Sequence, residues 1–224
     1  MAVKDTFYLS HGSPTLSIDE SLPARKFLQS WKETVYSQKP TSILIISGHW
    51  DTAVPSVSSI SGRYSTIYDF YGFPRSMYQI KYPAPGSPHL ANRVKQLLTS
   101  SGFGRRHPSL PAVGPIGEGR HLSLQLGEGA GPIEGRGCSY SGVFPWALEF
   151  DTWLKRALLE GRYDDVNQWE KKAPHAKTAH PWPDHLYPLH IVMGAAGADT
   201  KAKQIHDSWD LGAVSYAAYQ FTSP

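Results

Sequence analysis

The chain predicts an α/β fold: a single domain over residues 1–224 with a central, largely parallel or mixed sheet flanked by helices. Three observations carry this. The first fifty residues run strand, helix, strand, the order that builds a parallel sheet. Residues 42–47 form a short, almost continuously apolar run, which suits a strand covered on both faces. The length of 224 residues is enough for one sizeable core and short for two.

Residues 5–9, DTFYL, predict a strand that delivers Ser10, His11, Gly12 and Ser13 to a turn closed by Pro14. In 19–36, Leu22, Phe27, Leu28, Trp31 and Val35 recur at near-helical spacing behind an acidic first turn, predicting a helix that returns to the sheet. The buried strand at 42–47 then ends at Gly48, His49 and Trp50. Ligands of open α/β sheets collect at the carboxyl ends of strands, and both His11 and His49 follow one. Residues 65–88, rich in aromatics and prolines, predict a loop; 88–101 predict a helix begun by Pro88 and ended before Gly102. Residues 146–163 predict an amphipathic helix stopped at Gly161, 186–197 a helix of small and apolar residues, and 212–221 a closing strand. Between them, residues 104–142 hold ten of the chain's 20 glycines and no apolar period of either kind. An insert of that length without structure is foreign to a compact domain.

Composition narrows the function. With 22 Lys and Arg against 19 Asp and Glu, the net charge of +3 is small and dispersed, which argues against nucleic acid as the main partner. No apolar run approaches the ~20 residues of a membrane span, and MAVKDTFYLS has no hydrophobic signal core, so a cytoplasmic protein with no membrane partner is expected. Cys138 is the only cysteine, which leaves any metal to histidines and carboxylates.

There are ten histidines. His11 and His49 end predicted strands, and His185 and His190 lie on the proline-shaped segment PDHLYPLH. Three imidazoles at one crevice bind a divalent metal and leave coordination positions open. The plainer alternative has His49 capping its strand. His89, His107, His175 and His206 stand in polar contexts and read as solvated, and His180, before a proline at the mouth of the same loop, is left open. Ser10 and Ser13 flank His11, but no G-x-S-x-G elbow supports a serine hydrolase, and GEGAGPIEG neither follows a strand nor opens a helix.

The segments LSHGSP, IISGHW, IYDFYGFPRSMYQIKYPAPGSP, FPWALEFDTWL and HPWPDHLYPLHIVMGAAG together resemble the class III extradiol ring-cleavage dioxygenases, in particular the plant DOPA 4,5-dioxygenase type. The likeness covers residues 1–103 and 144–224. It implies a non-haem Fe(II) held by His11, His49 and His185, with Zn(II) as the other ion the site would take. It also implies a catechol such as DOPA and O2 as small-molecule partners, and ring opening beside the diol to a semialdehyde. His190 falls outside the three-ligand pattern and, with Tyr71 of the aromatic loop, is expected to line the substrate pocket.

Two family motifs are missing, a D-G-T-x-H-Y-N-L-G-like stretch with the acid/base histidine and an L-D-H-G-x-W stretch; both belong where the glycine-rich segment stands. Back-translating 124–142 and shifting the register by one nucleotide gives YNLGKALAPLKDEGVLIVG, which is family-like. Residues 104–143 therefore read as frame-shifted, with flanking material lost. On that reading His121 is not the acid/base counterpart, no catalytic acid/base is assigned, and the central sheet is incomplete. Losing buried strands would exceed a domain stability of ~5–15 kcal/mol. The alternatives to an extradiol dioxygenase are a zinc hydrolase on the same histidines and a metal-binding remnant without turnover.

Overall fold

The computed structural model describes residues 5–50, 52, 54–68, 71–103 and 142–223. The chain divides into two compact units, Met1–His49 with Gln125–Pro224, and Trp50–Leu124. Its described strands are β1 (Asp5–Leu9), β2 (Lys201–His206), β3 (Trp209–Asp210), β4 (Val214–Ser215) and β5 (Ala218–Thr222). Its described helices are α1 (Pro23–Gln29), α2 (Trp31–Thr34), α3 (Pro88–Ser100), α4 (Pro145–Leu159), α5 (Tyr163–Asn167), α6 (Trp169–Lys172), α7 (Ala176–Ala179) and α8 (Tyr187–Ala196).

The first unit is built on a three-stranded sheet in the order β1-β5-β2, with a β3-β4 hairpin beside it. β5 runs through the middle, and Ala218, Tyr219 and Phe221 are buried. β1 pairs with it antiparallel, Tyr8 opposite Tyr219 and Leu9 opposite Ala218, so the strand end that carries His11 is set by the ladder. Helix α4 lays Phe150, Leu154, Ala157 and Leu158 on one face, the i, i+4, i+7, i+8 spacing of an amphipathic helix, into a core with Val166, Trp169, Leu186, Leu189, Met193, Tyr219 and Phe221. Pro145 starts α4, and Gly161, at φ +71, follows its end in the left-handed conformation that favours glycine. α8 packs on β1, where the Thr6 hydroxyl donates to the Val192 carbonyl at 3.2 Å. In the second unit, α3 begins at Pro88 with the Ser87 hydroxyl accepting from the Leu90 amide, and the aromatic loop holds one short 3-10 turn, Met77–Gln79. Among the described residues no helix is long and apolar enough to cross a membrane.

Helices and strands mix as expected, but several elements differ. Residues 42–47 are not a buried strand: Ile43, Leu44 and Ile45 are 66, 57 and 77 % exposed. A central strand needs a neighbour on each side to take its amide and carbonyl groups, and no described strand pairs with this run. The described strands pair antiparallel only, so no parallel pair is seen among them. The helix expected over 19–36 starts at Pro23 and breaks at Ser30, whose hydroxyl donates to the Phe27 carbonyl at 3.0 Å, a local bond that competes with the helical ladder. The closing strand is two pieces, β4 and β5, and β2, whose KAKQIH carries little β-branched signal, is an addition. The frame-shifted reading of 104–143, with Cys138, His107 and His121, lies outside the described residues but for its last two positions.

Candidate metal centre

Each of three histidines reaches the centre on a segment fixed by its own local chemistry, and all three belong to the first unit. His11 follows β1 in a turn that only glycine completes. Gly12 has φ +51, and a Cβ there would lie 2.4 Å from the Tyr216 ring and hydroxyl. Ser10 secures the same turn, its hydroxyl donating to the Ser215 carbonyl at 2.7 Å. His49 follows the apolar run, its amide donating to the Ser47 hydroxyl at 3.0 Å. Beside it Gly48 comes close to the third segment, since a Cβ at that position would be 3.4 Å from both the Asp184 carbonyl oxygen and the His185 Cα. His185 closes the 3-10 turn Pro183–His185 that leads into α8, and its carbonyl accepts the Tyr8 hydroxyl at 3.0 Å.

The imidazoles converge through Nε2. His49 Nε2 lies 3.1 Å from His11 Nε2 and 3.3 Å from His185 Nε2, and the three ligand atoms all lie within 4.8 Å of one another. One ion about 2.1 Å from each of two imidazole nitrogens holds them roughly 3.0–3.4 Å apart, for coordination angles between octahedral and tetrahedral. Both spacings from His49, to His11 and to His185, fall in that interval. The outer nitrogens also fit: His11 Nδ1 is 3.0 Å from the Gly12 carbonyl and His185 Nδ1 is 3.2 Å from Asp184 Oδ2. A proton on each Nδ1 satisfies those acceptors and leaves Nε2 as a lone pair turned inward, the tautomer a metal requires. His11 is exposed and the other two are half-buried.

Electrostatics follow burial. Although His11 is surface-exposed as a residue, it is held below the ordinary imidazole range, first by burial and then by His49. Burial, with Asp151 second, pushes the Tyr8 phenol up to about 12, so it remains a donor toward His185. Asp151, buried on α4, is raised by burial, partly offset by the Ser215 hydroxyl that donates to it at 2.7 Å. His180 is lowered to about 4, by burial first and by His185 second; its ring sits 5.0 Å from Phe150 and 5.8 Å from Trp169.

Of the other residues singled out in the sequence, His190 stands on α8 with Nδ1 3.2 Å from the Leu186 carbonyl of its own helix, outside the three-histidine group. Tyr71 belongs to the second unit, 88 % exposed. His89 and His175 are exposed, the latter with Nε2 2.9 Å from Glu149 Oε2. His206 is not solvated as expected: its ring stacks on Phe27 at 4.4 Å and its Nε2 meets Ser208 Oγ at 2.7 Å, a contact across the fold that polar neighbours in sequence conceal. Sequence reasoning passed over Tyr8 and Asp184, which hold His185 by its carbonyl and its ring; for Asp184 the signal was its place beside His185, and for Tyr8 there was none.

The family model described as "Catalytic LigB subunit of aromatic ring-opening dioxygenase" matches residues 5–111 and 120–222. The "4,5-DOPA dioxygenase extradiol" of Beta vulgaris is 44% identical over 262 residues, covering 99% of this chain and 97% of its own length. That of Portulaca grandiflora is 44% identical over 266 residues, covering 100% and 97%. Both aligned stretches exceed the 224 residues of this chain, by 38 and 42 positions, so these relatives carry at least that many residues without a counterpart here. Among solved structures, that of an uncharacterized protein from Escherichia coli K12 superposes with a TM-score of 0.61 at 20% identity, over 97% of this chain and 99% of that one, a likeness of fold.

Proposed function

This chain belongs to the family of the catalytic LigB subunit of aromatic ring-opening dioxygenases, and from that premise we propose that it opens a catechol such as DOPA by extradiol cleavage at a non-haem Fe(II) held by His11, His49 and His185. The observation that carries this reading is the convergence of three Nε2 atoms, those of His11 and His185 at 3.1 and 3.3 Å from that of His49, with Nδ1 of His11 and His185 facing the Gly12 carbonyl and the Asp184 carboxylate.

A bound Fe(II) would supply coordination for the catechol oxygens and O2 and a path for electrons between them, both atoms of O2 ending in the semialdehyde product. The chain's residues do the rest. In this reading the diol approaches from the side of His11, the exposed member of the three. Asp184 keeps the His185 ring turned inward, and the Gly12 carbonyl does the same for His11. In this reading His190 contacts the substrate ring, and no acid/base residue is assigned. The protein works in the cytoplasm on these small molecules, without nucleic acid or membrane as partner. Zn(II) suits the same donor set, and the ion is decided by test. The experiment is oxygen uptake with DOPA after anaerobic loading with Fe(II): consumption of one O2 per catechol with a semialdehyde product supports the reading. Turnover with Zn(II) and no oxygen uptake overturns it.

A second reading, a chain that keeps the metal centre without turnover, is favoured by the 38 or more positions that relatives carry and this chain lacks, and by the exposure of Ile43, Leu44 and Ile45. In it, residues 104–143 are translated out of frame. Stoichiometric metal with no oxygen uptake supports this second reading; a transcript with no family-like peptide in the neighbouring frame removes its genetic explanation.

A further inference from the structure

We propose that Tyr8 is a positioning residue for the three-histidine centre, tying the His185 segment to the strand that delivers His11. The proposal rests on the reading of His11, His49 and His185 as metal ligands. Tyr8 stands on β1 three residues before His11, and its hydroxyl donates to the His185 carbonyl at 3.0 Å across 177 residues of sequence. One hydrogen bond therefore joins two of the three ligand segments. That carbonyl lies where the 3-10 turn Pro183–His185 hands over to α8, a place where helical backbone acceptors go short of partners.

Both ends of the link are anchored. β1 is held along Asp5–Leu9 by the β5 ladder, and just beyond it Ser10 is fastened to Ser215, which in turn donates to the buried Asp151. The His185 ring is turned by Asp184, so Tyr8 constrains its backbone while Asp184 constrains its ring. Strand β5 supplies an internal comparison. Tyr219, directly opposite Tyr8 in the ladder, is a fully buried tyrosine whose hydroxyl has no hydrogen-bond partner among the described residues. The two cross-strand phenols differ in whether the hydroxyl holds a ligand segment, and also in burial, Tyr219 lying fully in the core and Tyr8 at its half-buried edge.

The test uses Co(II) alone, whose visible spectrum reports ligand geometry, titrated into the full chain as wild type, Tyr8→Phe, Tyr219→Phe and His185→Ala. Outer partners of metal ligands are worth roughly 10–100-fold in affinity. Tyr8→Phe is expected to weaken Co(II) about tenfold and shift the visible bands, while Tyr219→Phe binds within about twofold of wild type. Wild-type affinity and bands in Tyr8→Phe overturn the proposal, as does an equal loss in Tyr219→Phe, which would assign the effect to packing. Equal Co(II) binding by wild type and His185→Ala instead overturns the ligand assignment itself. If Tyr8→Phe does not fold, amide exchange in the wild type takes its place. Co(II) is then expected to slow exchange at Tyr8, Leu9 and Leu186 together, and no slowing at Tyr8 and Leu9 overturns the proposal.

Discussion

His11 and His49 face each other through Nε2 atoms 3.1 Å apart, and the Nδ1 of His11 is already engaged by the Gly12 carbonyl. Two lone pairs at that distance repel unless a proton or a cation lies between them. Burial first and His49 second hold His11 below its ordinary range, which disfavours the imidazolium and leaves a neutral N–H on His49 or a cation as the ways to hold the pair.

Metal should therefore stabilise the fold. At a free divalent ion concentration 100 times the dissociation constant, binding to the native state alone adds about 2.7 kcal/mol. For a chain of this size that is a rise in Tm of roughly 5–10 °C. In His49→Ala the bridge between His11 and His185 is gone, and the rise is expected to vanish in a thermal melt followed by circular dichroism. An undiminished rise would place the ion elsewhere.

Gly12→Ala should damage both the fold and the site. The left-handed φ of +51 costs a non-glycine residue about 1–2 kcal/mol. The new methyl also meets Tyr216 at 2.4 Å, so either the ring or the turn must move. In the double variant Gly12→Ala/Tyr216→Leu the clash is relieved and the φ strain is kept. Metal affinity recovering in the double variant, with stability still below wild type, checks both parts of the argument by titration and urea unfolding.

What was legible in the sequence was local. DTFYL read as β1, Pro88 sits at a helix start, and Gly161 marks the end of α4, because these signals act within a turn of where they stand. His11 and His49 drew attention as histidines following apolar segments, and His185 joined them through its resemblance to a family pattern. The apolar character of 42–47 was read correctly, but its burial was not, since a strand exists only with neighbours, and the described sheet supplies none. Tyr8 and His206 were missed for the same physical reason. Their partners, the His185 carbonyl and Phe27, lie 177 and 179 residues away, and no local period encodes such a contact.

Adjacent leucines of α4 test the phase of that helix. Leu158 is fully buried in the core and Leu159 is 46% exposed. Leu158→Ala is expected to cost about 2–5 kcal/mol through lost burial and the cavity it leaves. Leu159→Ala should stay within about 0.5 kcal/mol, as exposed sites do. Equal losses in urea unfolding would mean the helix is rotated from the position described.

His180 should give the protein an acid-side stability slope. Its folded value, about 4, lies below the ordinary 6.5, first because burial disfavours the imidazolium and then because His185 is near. Between pH 6.5 and 4 the unfolded chain binds a proton that the folded one refuses, so unfolding free energy rises with pH across that window. The contribution is complete above about 6.5 and is lost as the pH falls. The loss reaches about 3 kcal/mol near pH 4, because each tenfold difference in proton affinity between the folded and unfolded chains is worth about 1.4 kcal/mol. Other groups titrate in the same range, His11 with the same sign and Asp151 with the opposite one, so the wild-type slope alone does not isolate His180. The difference between wild type and His180→Gln does, because glutamine keeps a polar side chain and cannot take up the proton. Urea midpoints measured from about pH 4 to 7.5 should show the variant losing less stability than wild type on acidification. Parallel curves would mean that the His180 ring is not buried against Phe150 and Trp169 as described.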